Sequence, residues 1–355
     1  MGQYNYNNDK SKSGSVFGFD GAYTYDEEGN QGGELQPICI EFLDNQSKLD
    51  LFQVQFNENG EIDGAATYSD AAFNKALEVR APEDVTDIVA DEGGIDALKG
   101  TEWDYIEKGV KRVFNFIGEC AKEVAQKNGI NPTKLNTWTV ADDGRDYLDT
   151  LDWTSEKFTS EAQDFFNMYS ICAWYIWTDY LIAVDQRAKN MMLYTMDGKH
   201  WMMQYYDGDT ALGERNDCFL AYDYLTDRTT YDTSASQYAM QGHDSWLWYL
   251  VRANFDSMLK STCNLMRKSG KFSADYLNQI LNGQFVGSWS ERQYNYSQDY
   301  KYIQPLTETG FPSSIATNYI NTAQGSREAH RTYTVNNRFR LLDSKYAVEA
   351  YLEDG

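Results

Sequence analysis

Asp185, Asn190, Asp207 and Asp209 are the side chains in this chain whose types and spacing can do chemistry. Asp185 and Asn190 stand five positions apart, and Asp207-Gly208-Asp209 follows a short apolar stretch. Kinase-type phosphoryl transfer uses such a set: an Asp that orients the attacking hydroxyl, an Asn on a metal ion, and a second metal-binding Asp delivered by the next strand. Arg187, between the first pair, is placed to neutralise phosphate charge. Two polar residues at one spacing carry little information alone. Asp185 can end a helix, Asn190 can start a strand, and Asp-Gly-Asp can be a solvated turn.

Their weight comes from the elements around them. Residues 155–183 read as one strongly apolar helix, with Phe158, Phe165, Phe166, Tyr169, Cys172 and Ile176 on overlapping faces, which predicts burial on most sides. The apolar run 168–184 is 17 residues long and contains Asp179. It therefore reads as a core helix and not as a membrane span, which needs about 20 residues. Residues 191–195 and 200–206 read as two strands, with Met196-Asp197-Gly198-Lys199 as the tight turn between them. The order is helix, polar loop, hairpin, acidic turn.

Farther out, residues 1–36 are rich in Asn, Gly, Ser and acids and predict a flexible polar arm. Short mixed runs at 38–43, 49–56 and 76–80, separated by turn-forming pairs, predict a small sheet. Thr101 with Asp104 makes an imperfect capping box, and Ile106, Val110, Val113, Phe114, Ile117 and Val124 recur at helical spacing until Gly129. Further helices are expected over 244–268, 273–281 and about 326–352.

The chain has 355 residues, 42% of them hydrophobic, enough for a substantial core. A net charge of -23 argues against non-specific nucleic-acid or anionic-membrane binding, since both require a basic face. The five cysteines are widely spaced with no CxxC pair, so they read as buried free thiols. The polar start lacks the apolar core of a signal peptide. There is no G-x-S-x-G, no H-E-x-x-H and no Walker loop, and His200, His243 and His330 are isolated. His200 reads as a structural residue within a strand. The acidic cluster at 142–146 does not fit an EF-hand loop and reads as a turn. Arg327, Arg331, Arg338, Arg340 and Lys345 near the C-terminus read as internal charge balance more than as a docking face.

The segment KNMMLYTMDGKHWMMQYYDGDTALG (189–213) resembles the core motif of the CotH kinase family, atypical kinases that pair an N-x-Y-L-Y-like strand with a later W-D-x-D-x-x-x-G. The flanking pieces CIEFLDN (39–45), ALEVRAPED (76–84), DSWLWYLVRANF (244–255), DYKYIQPL (299–306) and NRFRLLDSKY (337–346) resemble the version of that domain found in bacteriophage virion or tail proteins. The resemblance implies Asp185 as the catalytic Asp, Asn190 as a metal or loop-organising ligand, Asp207 and Asp209 as metal ligands, and Mg2+ and ATP as cofactors. Lys75 or Arg80 would anchor the nucleotide, with Glu119 or Glu123 as the paired helix glutamate. It departs from the family at Tyr206, where a Trp is usual, at Gly208 between the acids, and in having no His before Asp185.

The architecture implied is α+β and protein-kinase-like. A small sheet-bearing N-terminal lobe would span 37–135 and a larger helical lobe 136–355. Two functions follow from the resemblance. One is a virion or tail structural protein, assembled in the bacterial host cytoplasm with other virion proteins as partners and often longer than this chain. The other is a working kinase with a protein substrate. Neither implies nucleic-acid binding or membrane insertion.

Overall fold

The structure, a computed structural model, describes residues 22–25, 31–35, 37–42, 52–70, 77–82, 85–91, 93–136, 147–183, 185–187, 191–205, 211–212, 245–281 and 327–349. Within the expected arm, Ala22–Tyr25 (β1) and Gln31–Leu35 (β2) pair antiparallel as a two-stranded ribbon. Local polar composition predicts a loop there, and backbone pairing overrides it.

The main sheet grows from Ile38–Phe42 (β3), whose five residues are all buried. Leu77–Ala81 (β4) pairs on one side of it and Met191–Thr195 (β5) on the other, and Met202–Gln204 (β6) pairs with β5. All pairs are antiparallel, in the order β4-β3-β5-β6. The sheet thus joins strands from both sides of the expected lobe boundary at 135/136. Ile38 pairs with Thr195, Ile40 with Leu193 and Phe42 with Met191.

The run 49–56, expected as a strand, contributes only an isolated bridge from Phe56 to Ile62 among its described residues. The Asn57 side chain accepts from the amides of Asn59 and Glu61, so the chain folds back on itself before a ladder can extend. Asp63 then caps the short helix Gly64–Tyr68 (α1) by accepting from the Ala66 amide at 3.0 Å.

After Thr86–Asp91 (α2) comes the long helix Asp104–Lys127 (α3), which packs against β3. Phe114 of α3 stacks on Phe42 at a centroid distance of 6.0 Å and packs at a tilt against Phe52 at 4.9 Å. Two glycines let α3 approach closely. A Cβ on Gly118 would sit 2.5 Å from Val54 Cγ2, and one on Gly109 would sit 3.0 Å from the Gly198 carbonyl oxygen. The predicted capping residues are used differently: Thr101 Oγ1 accepts from the Trp103 amide and Asp104 from the Gly100 amide. Gly129, at φ +66, follows the helix end as expected.

The single helix expected over 155–183 is broken into Glu156–Glu161 (α4), a 3-10 turn Ala162–Asp164, and Met168–Tyr180 (α5). Bonds to the hairpin cause the break. Trp201 N–H donates to the Phe165 carbonyl and Asn167 N–H to the Trp201 carbonyl, both at 2.9 Å, and Asn167 then caps α5 through the Ser170 amide. Apolar periodicity cannot register that exchange.

The rest is helical: Trp246–Asn254 (α6), Asp256–Lys268 (α7), Ala274–Leu281 (α8) and Arg327–Lys345 (α9). The protein is therefore mixed α+β, with a small antiparallel sheet and a mostly helical remainder. Among the described residues no helix is long and apolar enough to cross a membrane. Cys39, Cys120, Cys172 and Cys263 are buried, and burial pushes the Cys172 thiol up to about 12.

Candidate functional site

Helix α5 hands the chain directly to the candidate loop. The Ala183 amide bonds the Thr178 carbonyl at 2.9 Å and the Ile182 amide bonds that of Asp179 at 3.3 Å, while Ile182 sits at φ 51. This is a Schellman-type ending with isoleucine in the left-handed position that normally favours glycine, a costly conformation for a β-branched residue. The 3-10 turn Asp185–Arg187 follows.

That turn is gripped through its backbone. Trp174 Nε1 donates to the Gln186 carbonyl and Trp248 Nε1 to the Arg187 carbonyl, both at 3.1 Å. The Arg187 side chain is 1% exposed and runs back onto α5. Its Nε donates to Thr178 Oγ1 at 2.8 Å and its Nη2 to the Tyr175 carbonyl at 2.9 Å, with the guanidinium 4.0 Å from the Tyr175 ring centroid. Arg187 thus ties the turn to the helix before it. Asp185 and Arg187 share this turn, whereas Lys75, Asn190, Asp207 and Asp209 lie outside the described residues, as do Tyr206, Gly208 and the acids at 142–146.

The hairpin expected after the loop is present. Met192 pairs with Gln204, Leu193 with Met203 and Tyr194 with Met202. Asp197 organises its turn: Oδ1 accepts from the Lys199 and His200 amides at 2.8 Å and from Thr195 Oγ1 at 3.0 Å, and Oδ2 lies 2.6 Å from His200 Nδ1. Burial pushes the Asp197 carboxyl up, but these donors win and hold it at about 2. His200 is thereby a turn residue, two positions before β6 begins, and not mid-strand.

Arg80 lies on β4, where its Nε meets Glu41 Oε2 at 2.5 Å and its Nη1 meets Glu78. The buried Glu41 of β3 fills the place expected of a helix glutamate. Glu123 instead caps α4, accepting from Ser155 Oγ at 2.6 Å and from the amides of Glu156 and Lys157 at 2.8 and 3.2 Å. Glu119 is exposed on α3. A signal for Glu41 existed: an acid inside the apolar run ICIEF needs a cationic partner once buried.

A second carboxylate, buried and held by several donors, is one to which sequence reasoning gave no role. Asp179, 3% exposed in α5, receives Arg338 Nη2 on Oδ1 at 2.8 Å, and Tyr346 Oη and Lys345 Nζ on Oδ2 at 2.7 and 3.2 Å. Arg187 Nη2 stands 3.9 Å from the same Oδ1. Burial pushes this carboxyl up, and the charges of Lys345, Arg187 and Arg338 reverse that, holding it well below the usual carboxylate range. Beside it Arg267 forks onto Asp343 at 2.8 and 2.9 Å, and Tyr180 Oη donates to Asp343 Oδ1 at 2.7 Å. Arg338 and Lys345 thus balance charge internally, as the sequence suggested.

Among the described residues no three or more His, Cys, Asp or Glu side chains are grouped to hold a metal ion. A scan against protein-family models, a search of curated proteins and a search of solved structures each gave no match.

Proposed function

We propose that this chain is a bacteriophage virion or tail structural protein whose CotH kinase-like domain serves assembly or binding. The phage assignment rests on the resemblance of the flanking motifs, and the kinase-like assignment on the succession of core helix α5, polar turn and hairpin β5–β6 ahead of Asp207 and Asp209. One observation favours binding over catalysis. The two candidate phosphate-facing cations among the described residues are engaged inside the fold: Arg187 with Thr178 and Tyr175, and Arg80 with Glu41 and Glu78. Withdrawing either from those acceptors leaves buried polar groups unpaired, a cost that opposes recruitment to phosphate.

The second reading is an active atypical kinase dependent on Mg2+ and ATP, favoured by the same succession of elements. In it Asp185 orients the acceptor hydroxyl of a protein substrate, Asn190, Asp207 and Asp209 hold the metal, and Lys75 supplies the nucleotide anchor.

Phosphate transfer from labelled Mg-ATP, measured beside thermal unfolding of the wild type and Asp207→Asn, separates the two. The assembly reading predicts no transfer to the chain itself or to a generic protein acceptor. A Mg-ATP stabilisation that Asp207→Asn abolishes is compatible with retained ligand binding. Transfer that Asp185→Ala removes overturns the assembly reading in favour of the enzyme.

A further inference from the structure

We propose that the C-terminal helix α9 is a clasp that sets the conformation of the Asp185–Arg187 turn, with Arg338 as its positioning residue. This holds whether or not the turn takes part in phosphate chemistry.

The strained step into the turn is Ile182, at φ 51 and buried. Such a conformation persists only where its surroundings over-determine it. Arg338 supplies that constraint from the far end of the chain. Its Nε donates at 2.9 Å to the Asp179 carbonyl, the same oxygen that accepts the Ile182 amide. Its Nη2 takes Asp179 Oδ1 at 2.8 Å, while Arg187, which belongs to the turn, stands 3.9 Å from that oxygen. Arg338 therefore secures the helix ending and occupies the carboxylate position toward which Arg187 would otherwise be drawn.

Two further grips fasten α9 to the same place. Tyr346 and Lys345 both reach Asp179 Oδ2, and Asp343 holds Tyr180 and Arg267. If α9 lifts, the Asp179 carboxylate loses three donors together and pairs directly with Arg187. The Asp185 backbone, two residues from Arg187, must then move with it.

Amide exchange of a peptide covering residues 181–187 tests this, with each variant compared at matched global stability set by denaturant. Arg338→Gln removes the charge and one of the two bonds, whereas Val335→Ala, at a buried apolar position of the same helix, weakens packing without touching Asp179. The clasp predicts exchange about tenfold faster in Arg338→Gln than in Val335→Ala, because a charge-assisted bond local to the peptide is lost. Tyr346→Phe, which removes only the hydroxyl, is expected to shift exchange in the same direction by less. If Arg338→Gln fails to fold, Tyr346→Phe against Val335→Ala decides alone. Exchange that is indistinguishable from Val335→Ala in every variant that folds overturns the proposal.

Discussion

Arg338 and Asp179, 159 positions apart, meet through two bonds from one guanidinium, one to the Asp179 backbone carbonyl and one to its carboxylate, both buried. A buried ion pair of this kind contributes little beyond a well-packed apolar pair, but losing one partner strands the other in a medium that cannot solvate it. Arg338→Met is therefore expected to lower the unfolding free energy by about 3–5 kcal/mol, read from urea denaturation. A loss below about 1 kcal/mol, the range of an exposed pair, would place this contact at the surface in solution.

The hairpin turn carries a pH signature. Asp197 is held at about 2 in the folded protein, against about 3.9 for an unfolded Asp. A depressed folded value means its contribution is fully present above about pH 4 and is lost as pH falls through about 2. The melting temperature of the wild type should exceed that of Asp197→Ala most at pH 5 and above, with the gap closing toward pH 2. A gap constant across that range would mean that the carboxylate makes no special bonds in solution.

Gly118 decides how closely α3 lies on the segment before α1. A methyl there would stand 2.5 Å from Val54 and 2.9 Å from Ile62, both stiff β-branched side chains in or against the core. Alanine gains about 1 kcal/mol of helix propensity over glycine. Overpacking of this severity costs about 1–3 kcal/mol and should outweigh that gain. Gly118→Ala is thus expected to unfold at lower urea concentration than the wild type, and an unchanged or raised midpoint would mean that Val54 and Ile62 yield freely.

Elements governed by local chemistry were legible in the sequence. The hairpin was visible because Asp-Gly demands a turn between strand-like runs, and α3 because its apolar spacing ends at a glycine that can take φ +66. What escaped depended on distant partners. Nothing near Asn167 signals that Trp201 will bond across it and split the predicted helix, nor that β5 will pair with β3 across most of the chain's first half. Asp179 was visible as an acid in an apolar helix, but its ring of Arg338, Lys345 and Tyr346 is a product of the fold alone. Arg187 is similar: its position between Asp185 and Asn190 suggests phosphate, and its bonds to Thr178 and Tyr175 could be seen only in the fold. The rest of the candidate site, Asn190, Asp207 and Asp209, falls outside the described residues.

The central claim, a structural component of a phage particle, is tested most directly by counting. Quantitative mass spectrometry of purified particles of a phage whose genome carries this sequence should, on that proposal, find the chain at a fixed copy number, in constant ratio to the other virion proteins and resistant to washing. Its absence from those particles, with the protein present in the infected cell, would contradict the account.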